Sequence, residues 1–278
     1  MKKSITIWAL KDGTNGKLPV ITSIEQLRNS GFNALEISFF MDGDISLNST
    51  TNQLKTIKDY VSKSPIKISS MSTLLFNEIS PISDDREEQA LALKVLLKML
   101  EIAEFLEIDS ISFSFSKLSP SIQHKQAYEM AIETISNIGD KARSRNVKLC
   151  IENMSKGLLI GPLEFKGFLD RINNPYVTCC FDTGNTTLSG YPHHWIEYLG
   201  EHIEKVHITD TRLRAGSFLE YVNPGKGSID WNLTMKALRK VGYNGYLTVE
   251  AFSNPKEAND IRIQNLSTAL DKIMEIEQ

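Results

Sequence analysis

Eight short apolar runs recur along the chain, at roughly 4–9, 33–39, 66–71, 108–115, 147–152, 176–182, 203–208 and 245–250. Helical patterns lie between nearly all of them, and this alternation points to a parallel sheet flanked by helices. The segment 85–106 sets Ala92, Leu96, Leu100, Ala103 and Leu106 on one face, at spacings of three and four. A second helix is predicted to open with Ser119 as N-cap and Pro120 at its first position. It carries Ala127, Ala131, Ile135, Ile138 and Ala142 on one stripe and ends near Asn146. Leu233, Ala237, Leu238 and Val241 form another stripe, stopped by Gly242, and a last helix is predicted over about 256–275.

Eight strand-then-helix units in 278 residues match a single (β/α)8 TIM barrel, α/β in class, with 1–278 as one domain. A doubly wound open sheet is the competing architecture. It ordinarily has fewer strands, and the first strand–helix junction, Ala9-Leu10-Lys11-Asp12-Gly13-Thr14-Asn15-Gly16, lacks a GxGxxG fingerprint.

Charge narrows the partners. Lys and Arg total 31 against 34 Asp and Glu, a net of −3, which gives no global attraction to nucleic acid or to an acidic membrane surface. No apolar stretch approaches the roughly 18 residues of a membrane-spanning helix. Met1-Lys2-Lys3 passes straight into the short run Ser4–Trp8, so no secretory segment is expected. Cys150, Cys179 and Cys180 each sit in an apolar run and read as buried free thiols, consistent with a cytoplasmic location.

In a barrel of this kind, chemistry gathers where the strands end. The fifth run ends in Glu152-Asn153, the sixth in Asp182-Thr183-Gly184, the seventh carries His207 and then Asp210, and the eighth ends in Glu250. Four consecutive strands thus deliver Glu, Asp, His and Glu to one rim. One acidic residue at a strand end is ordinarily a helix N-cap or half of a rim ion pair, and one strand histidine is ordinarily a core residue. Four in succession are hard to ascribe to capping. Three crowded carboxylates would raise one another's pKa unless a cation neutralised them. Three oxygen donors and one imidazole suit one divalent ion: Mn²⁺, Mg²⁺, Co²⁺ or Zn²⁺.

These stretches resemble the xylose-isomerase-like TIM-barrel superfamily of sugar phosphate isomerases and epimerases. The resemblance is carried by Leu149-Cys150-Ile151-Glu152-Asn153, Phe181-Asp182-Thr183-Gly184 and Val206-His207-Ile208-Thr209-Asp210. It continues in Asn223-Pro224-Gly225-Lys226-Gly227-Ser228-Ile229-Asp230-Trp231 and Gly245-Tyr246-Leu247-Thr248-Val249-Glu250, with Gly31-Phe32-Asn33-Ala34-Leu35-Glu36 resembling the family's second strand. It implies that Glu152, Asp182, His207 and Glu250 bind one divalent metal, and that Glu152 and Glu250 move protons on a sugar or sugar phosphate. A keto-polyol dehydratase of the inosose type, a metal-dependent apurinic endonuclease and a non-catalytic sugar-binding descendant are the alternatives; a homo-oligomer is compatible with each.

Two departures matter. Asn185 stands where the family commonly has histidine, and an amide cannot shuttle a proton at neutral pH. The runs 66–71 and 108–115 contain no histidine, which weighs against the multi-zinc endonuclease branch. Asn185, Asp210, Arg212, Arg214, Glu36 and Trp8 are the remaining candidates for substrate contact, the two arginines as partners for a phosphate or carboxylate. His193-His194 reads as a solvated loop or helix start, and Pro224-Gly225-Lys226-Gly227 as a turn whose N–H groups are able to hold an anion.

Overall fold

The computed structural model describes residues 1–214, 218–252, 254 and 256–276. Seven strands follow in chain order: β1 (Lys2–Thr6), β2 (Ala34–Ser38), β3 (Lys67–Ser72), β4 (Ser110–Phe113), β5 (Lys148–Glu152), β6 (Val177–Asp182) and β7 (Ile203–Ile208). A hairpin, β8 (Asp210–Arg214) and β9 (Phe218–Val222), precedes the last barrel strand, β10 (Tyr246–Val249). The eight barrel strands close in the order β1-β10-β7-β6-β5-β4-β3-β2, every pair parallel. The fold is therefore the single-domain TIM barrel that the alternation predicts.

The crossovers are α1 (Val20–Gln26), α2 (Thr51–Lys63), α3 (Arg86–Leu106), α4 (His124–Ser144), α5 (Pro162–Ile172), α6 (Pro192–Leu199), α7 (Trp231–Lys240) and α8 (Asn259–Met274). The predicted stripes are the buried faces: Ala92, Leu96, Leu100, Ala103 and Leu106 of α3, and Ala127, Ala131, Ile135, Ile138 and Ala142 of α4. They pack on outward-facing strand residues such as Leu35, Ile111, Leu149 and Val206, each fully buried. Burying each large side chain contributes about 1.5–3 kcal/mol, so this layer between helices and strands is the principal apolar core.

The lumen is different in kind. Side chains alternate along a strand, and the inward set holds Ser4, Glu36, Ser70, Ser112, Cys150, Cys180, Lys205 and His207, all buried. Glu36 of β2 bonds His207 of β7, and Lys205 of β7 bonds Ser112 of β4. Neither pair belongs to neighbouring strands, so these contacts span the barrel interior.

Two boundaries and one element depart most from expectation. The first strand stops at Thr6, because Leu10 N–H donates to the Ile7 carbonyl and turns the chain into a short 3-10 segment. Ser119 and Pro120 do not start α4, which begins at His124 with Gln123 as its N-cap. Ser119 Oγ instead accepts from Ser121 N–H at 3.3 Å, and the Ser121 hydroxyl is tied to Asp84, so the four-residue lead-in is a pinned turn. The hairpin β8–β9 has no counterpart among the expected elements. Cys150, Cys179 and Cys180 are buried free thiols, as their apolar settings predict.

Candidate metal centre at the barrel mouth

Parallel register carries the four expected ligands to one level. Asp182 lies opposite His207 across β6 and β7, and Thr248, two residues before Glu250, lies opposite His207 across β10 and β7. Glu152, the last residue of β5, pairs with Cys180. One ligand atom from each of Glu152, Asp182, His207 and Glu250 falls within 4.8 Å of all the others. His207 Nδ1 is 2.6 Å from Glu250 Oε2 and 3.5 Å from Glu152 Oε1.

Local structure holds each group. Asp182 Oδ1 accepts from the Asn185 N–H at 2.6 Å and the Thr209 hydroxyl at 2.7 Å, which leaves Oδ2 to face the cluster. Thr209 Oγ1 also accepts from the Gly184 N–H, and a Cβ at Gly184 would stand 2.4 Å from that oxygen, so this turn requires glycine. Asn153 returns the β5–β6 connection: its side chain donates to the Asp182 carbonyl and accepts from the Asp182 N–H.

Three buried atoms of the cluster, Asp182 Oδ2, His207 Nδ1 and Glu250 Oε2, have no hydrogen-bond partner. Orphaned buried polar atoms are costly, and these converge on one point. Burial raises the pKa of Glu152 and the Glu250 charge adds to it; burial also lifts Asp182 well above the carboxylate range, helped by Glu250 and Glu152. Burial disfavours charge on His207, yet Cys180, Glu36 and Glu250 around it raise its pKa well above the ordinary imidazole value. A divalent cation would neutralise the crowded carboxylates and give Asp182 Oδ2, His207 Nδ1 and Glu250 Oε2 a common partner, so the residues fit one.

The cluster floors a cavity of about 390 Å³. Trp8 and Phe252 form one wall, stacked at 6.2 Å with planes 14° apart. Asn185 and Tyr221 form another: the Tyr221 hydroxyl donates to Asn185 Oδ1 at 2.6 Å, and Asn185 Nδ2 points to Glu152 Oε1 at 3.5 Å. Of the residues expected to contact substrate, Trp8 and Asn185 line the cavity.

Four other expected contacts do not reach the cavity. Glu36 lies below the cluster, wholly buried, bonded to His207 Nε2, the Ser70 hydroxyl and the Lys205 ammonium. Burial alone would raise its pKa, but Lys205 and His207 outweigh that and hold the carboxyl well below the usual range. Asp210 is spent on backbone: its carboxylate accepts from the N–H groups of Thr211, Gly225 and Gly227, each at 2.9 Å, and from Trp231 Nε1 at 3.2 Å. The anion held by the Pro224–Gly227 turn is therefore the chain's own Asp210. Arg212 donates to the Lys226 carbonyl and Arg214 pairs with Glu220, both on the exposed hairpin. His193 and His194 occupy the first turn of α6.

Sequence reasoning missed Lys205, Tyr221 and Phe252. Lys205 was legible, since it lies two residues before His207 and so shares its inward face. Tyr221 depends on an unforeseen hairpin and Phe252 on an irregular segment, and no periodicity signals either. Among the described residues no helix is long and apolar enough to cross a membrane.

A family described as a xylose isomerase-like TIM barrel matches residues 24–269. An inosose dehydratase of Geobacillus thermodenitrificans is 27% identical over 153 residues, covering 49% of this chain and 50% of that protein. An uncharacterized protein of Methanocaldococcus jannaschii is 25% identical over 185 residues, 63% of this chain and 61% of its own. The chain thus spans about half to three-fifths of the length of these curated relatives. Among solved structures, an IolI protein with a binding zinc atom superposes with a TM-score of 0.84 at 18% identity, covering 99% of this chain and 98% of that one. D-Psicose 3-epimerase with D-tagatose, from Clostridium cellulolyticum H10, gives 0.81 at 17%, covering 99% of each. At such identities the likeness shows the fold.

Proposed function

The chain belongs to the xylose isomerase-like TIM-barrel family, and from that premise we propose that it is a divalent-metal-dependent isomerase or epimerase of a sugar or sugar phosphate, working through an enediolate. The observation that carries this reading is the convergence of Glu152, Asp182, His207 and Glu250, with partnerless buried donor atoms, beneath a cavity sized for a small polyol. Those four residues would hold one Mn²⁺, Co²⁺, Mg²⁺ or Zn²⁺ ion. When bound, such an ion polarises a substrate carbonyl and offsets charge developing on its oxygen.

Glu152 and Glu250 are the proton carriers. Both face the cavity, and burial together with the Glu250 charge raises the pKa of Glu152. One glutamate removes the proton from the carbon beside the carbonyl. Return by the other glutamate to the opposite face epimerises that carbon, and return to the neighbouring carbon isomerises the sugar. The Asn185 amide and the Tyr221 hydroxyl orient substrate hydroxyls, and the Trp8–Phe252 wall covers its C–H face and excludes water.

A second reading has its own support, because the curated relatives include inosose dehydratases. The same first step followed by loss of a β-hydroxyl, protonated by the second glutamate, yields dehydration of a keto-polyol. One experiment tests both. Metal-stripped protein reloaded with Mn²⁺ or Co²⁺ is incubated with ketoses, aldoses and inososes in D₂O and followed by NMR. Deuterium incorporation with retention of water identifies the isomerase or epimerase, and loss of water identifies the dehydratase. No exchange on any of the panel overturns both.

A further inference from the structure

Below the metal centre lies a buried ionic group that the proton-transfer chemistry does not use. Glu36 Oε1 is 3.0 Å from His207 Nε2, and Glu36 Oε2 accepts from the Ser70 hydroxyl at 2.5 Å and pairs with the Lys205 ammonium. Lys205 also donates to Ser112 Oγ at 2.9 Å. Glu36 and Lys205 are almost wholly removed from solvent. Buried charges on this scale are costly, and an apolar pair of similar volume would pack the lumen at no loss of stability.

Two register shifts accompany the group. The β2–β3 pairing shifts register between Leu35 and Glu36, which sets Glu36 opposite Ser70. The β6–β7 pairing shifts between Cys179 and Cys180, which sets Cys180 opposite Lys205 and Asp182 opposite His207. Such irregularities re-aim side chains and concentrate beside active sites.

We infer that Glu36, with Lys205 as its buried counter-charge, is a positioning residue that fixes the tautomer of His207 so that Nδ1 is free to ligate a metal. The inference rests on the metal centre proposed above. An imidazole that ligates a metal through one nitrogen keeps its single proton on the other, and a carboxylate lies at each nitrogen of His207. Glu36 sits at Nε2, while Glu250 Oε2 is 2.6 Å from Nδ1. Were the proton on Nδ1, a His207–Glu250 hydrogen bond would consume two ligand atoms and close the site. Glu36 takes the proton on the far side of the ring, and Lys205 and Ser70 supply the donors that keep its carboxylate in place.

The test uses the full chain and Zn²⁺. Long-range ¹H–¹⁵N correlation on the zinc-loaded wild type should show His207 as the Nε2–H tautomer, and calorimetry should give one bound ion. In the Glu36→Leu/Lys205→Met double variant, which leaves no buried charge unpaired, the affinity should fall by about 10- to 100-fold, and the His207 proton should move to Nδ1. Glu36→Gln/Lys205→Met, which keeps a neutral acceptor at Nε2, should recover part of that loss. A folded leucine double variant with wild-type affinity overturns the inference, as does an Nδ1–H tautomer in the zinc-loaded wild type. A wild type that binds no Zn²⁺ overturns the metal centre itself.

Discussion

His207 Nδ1 and Glu250 Oε2 lie 2.6 Å apart, and neither has a hydrogen-bond partner. A protonated His207 makes this contact an ion pair, and a metal ion in place of that proton would hold both atoms. The consequence is measurable without any substrate. Addition of Zn²⁺ or Mn²⁺ at about a hundredfold over its Kd should stabilise the chain by about 2.7 kcal/mol, read as a rise in melting temperature. Asp182→Asn and His207→Ala should abolish most of that rise. An equal rise in these variants would place the ion elsewhere.

The same stabilisation should depend on pH with a definite sign. Burial and neighbouring charge raise the folded-state pKa of Asp182 and Glu152 above the unfolded value of about 4. Each raised group favours the folded metal-free chain below its unfolded pKa, and that advantage is lost as pH rises through the folded pKa. Metal binding requires the charged forms and so competes with protons over that window. The melting rise with Zn²⁺ should therefore grow from pH 5 to pH 8. A rise that is flat, or larger at pH 5, would contradict the assignment of these carboxylates as ligands.

Proton transfer separates Glu152 and Glu250 from Asp182. Glu152→Gln and Glu250→Gln should each lower substrate deuterium exchange by about 10²- to 10⁴-fold, the range for losing a general acid or base. All three amide variants keep a neutral carbonyl oxygen in place of a charged ligand and should weaken metal binding, so exchange is compared at saturating metal, where Glu152→Gln and Glu250→Gln should lose more than Asp182→Asn. Exchange that survives in both glutamine variants would leave them as ligands only.

Tyr221→Phe tests the Asn185 wall. The phenol donates to Asn185 Oδ1 at 2.6 Å, and Asn185 in turn faces Glu152. Loss of one such bond costs about 0.5–1.5 kcal/mol, so kcat/KM should fall by roughly 2- to 12-fold. Tyr221 is half exposed, so the melting temperature should hardly move. A large loss of stability with unchanged kinetics would make the residue structural.

What the sequence discloses follows the reach of its periodicities. The helix stripes and strand runs predict the barrel, and alternation along parallel strands places Glu152, Asp182 and His207 on one rim, with Glu250 just past β10. Glu36 shares the inward face but lies below the cluster, and its charged partners, His207 and Lys205, come from β7 across the lumen. A strand pattern reports which face a residue takes, not how deep it sits or what stands opposite. Arg212 and Arg214 were placed by proximity to the seventh strand, and the antiparallel hairpin carries them away from the cavity.

Asp210 supplies the sharpest contrast between a residue that touches substrate and one that builds the wall around it. Its carboxylate accepts from three backbone N–H groups at 2.9 Å and from the Trp231 indole, which ties β8 to the 223–229 turn. Gly227 belongs to the same joint, because a Cβ there would stand 2.0 Å from Asp210 Oδ1. Asp210→Ala strands several buried donors at once and should cost about 3–4 kcal/mol, at about 1–3 kcal/mol for each group left unsatisfied and with partial relaxation. Gly227→Ala should also destabilise by displacing that carboxylate. Denaturant midpoints measure both. Because Asp210 does not border the cavity, Zn²⁺ affinity in the folded Asp210→Ala chain should match the wild type. A variant of normal stability with weakened substrate binding would return Asp210 to the substrate.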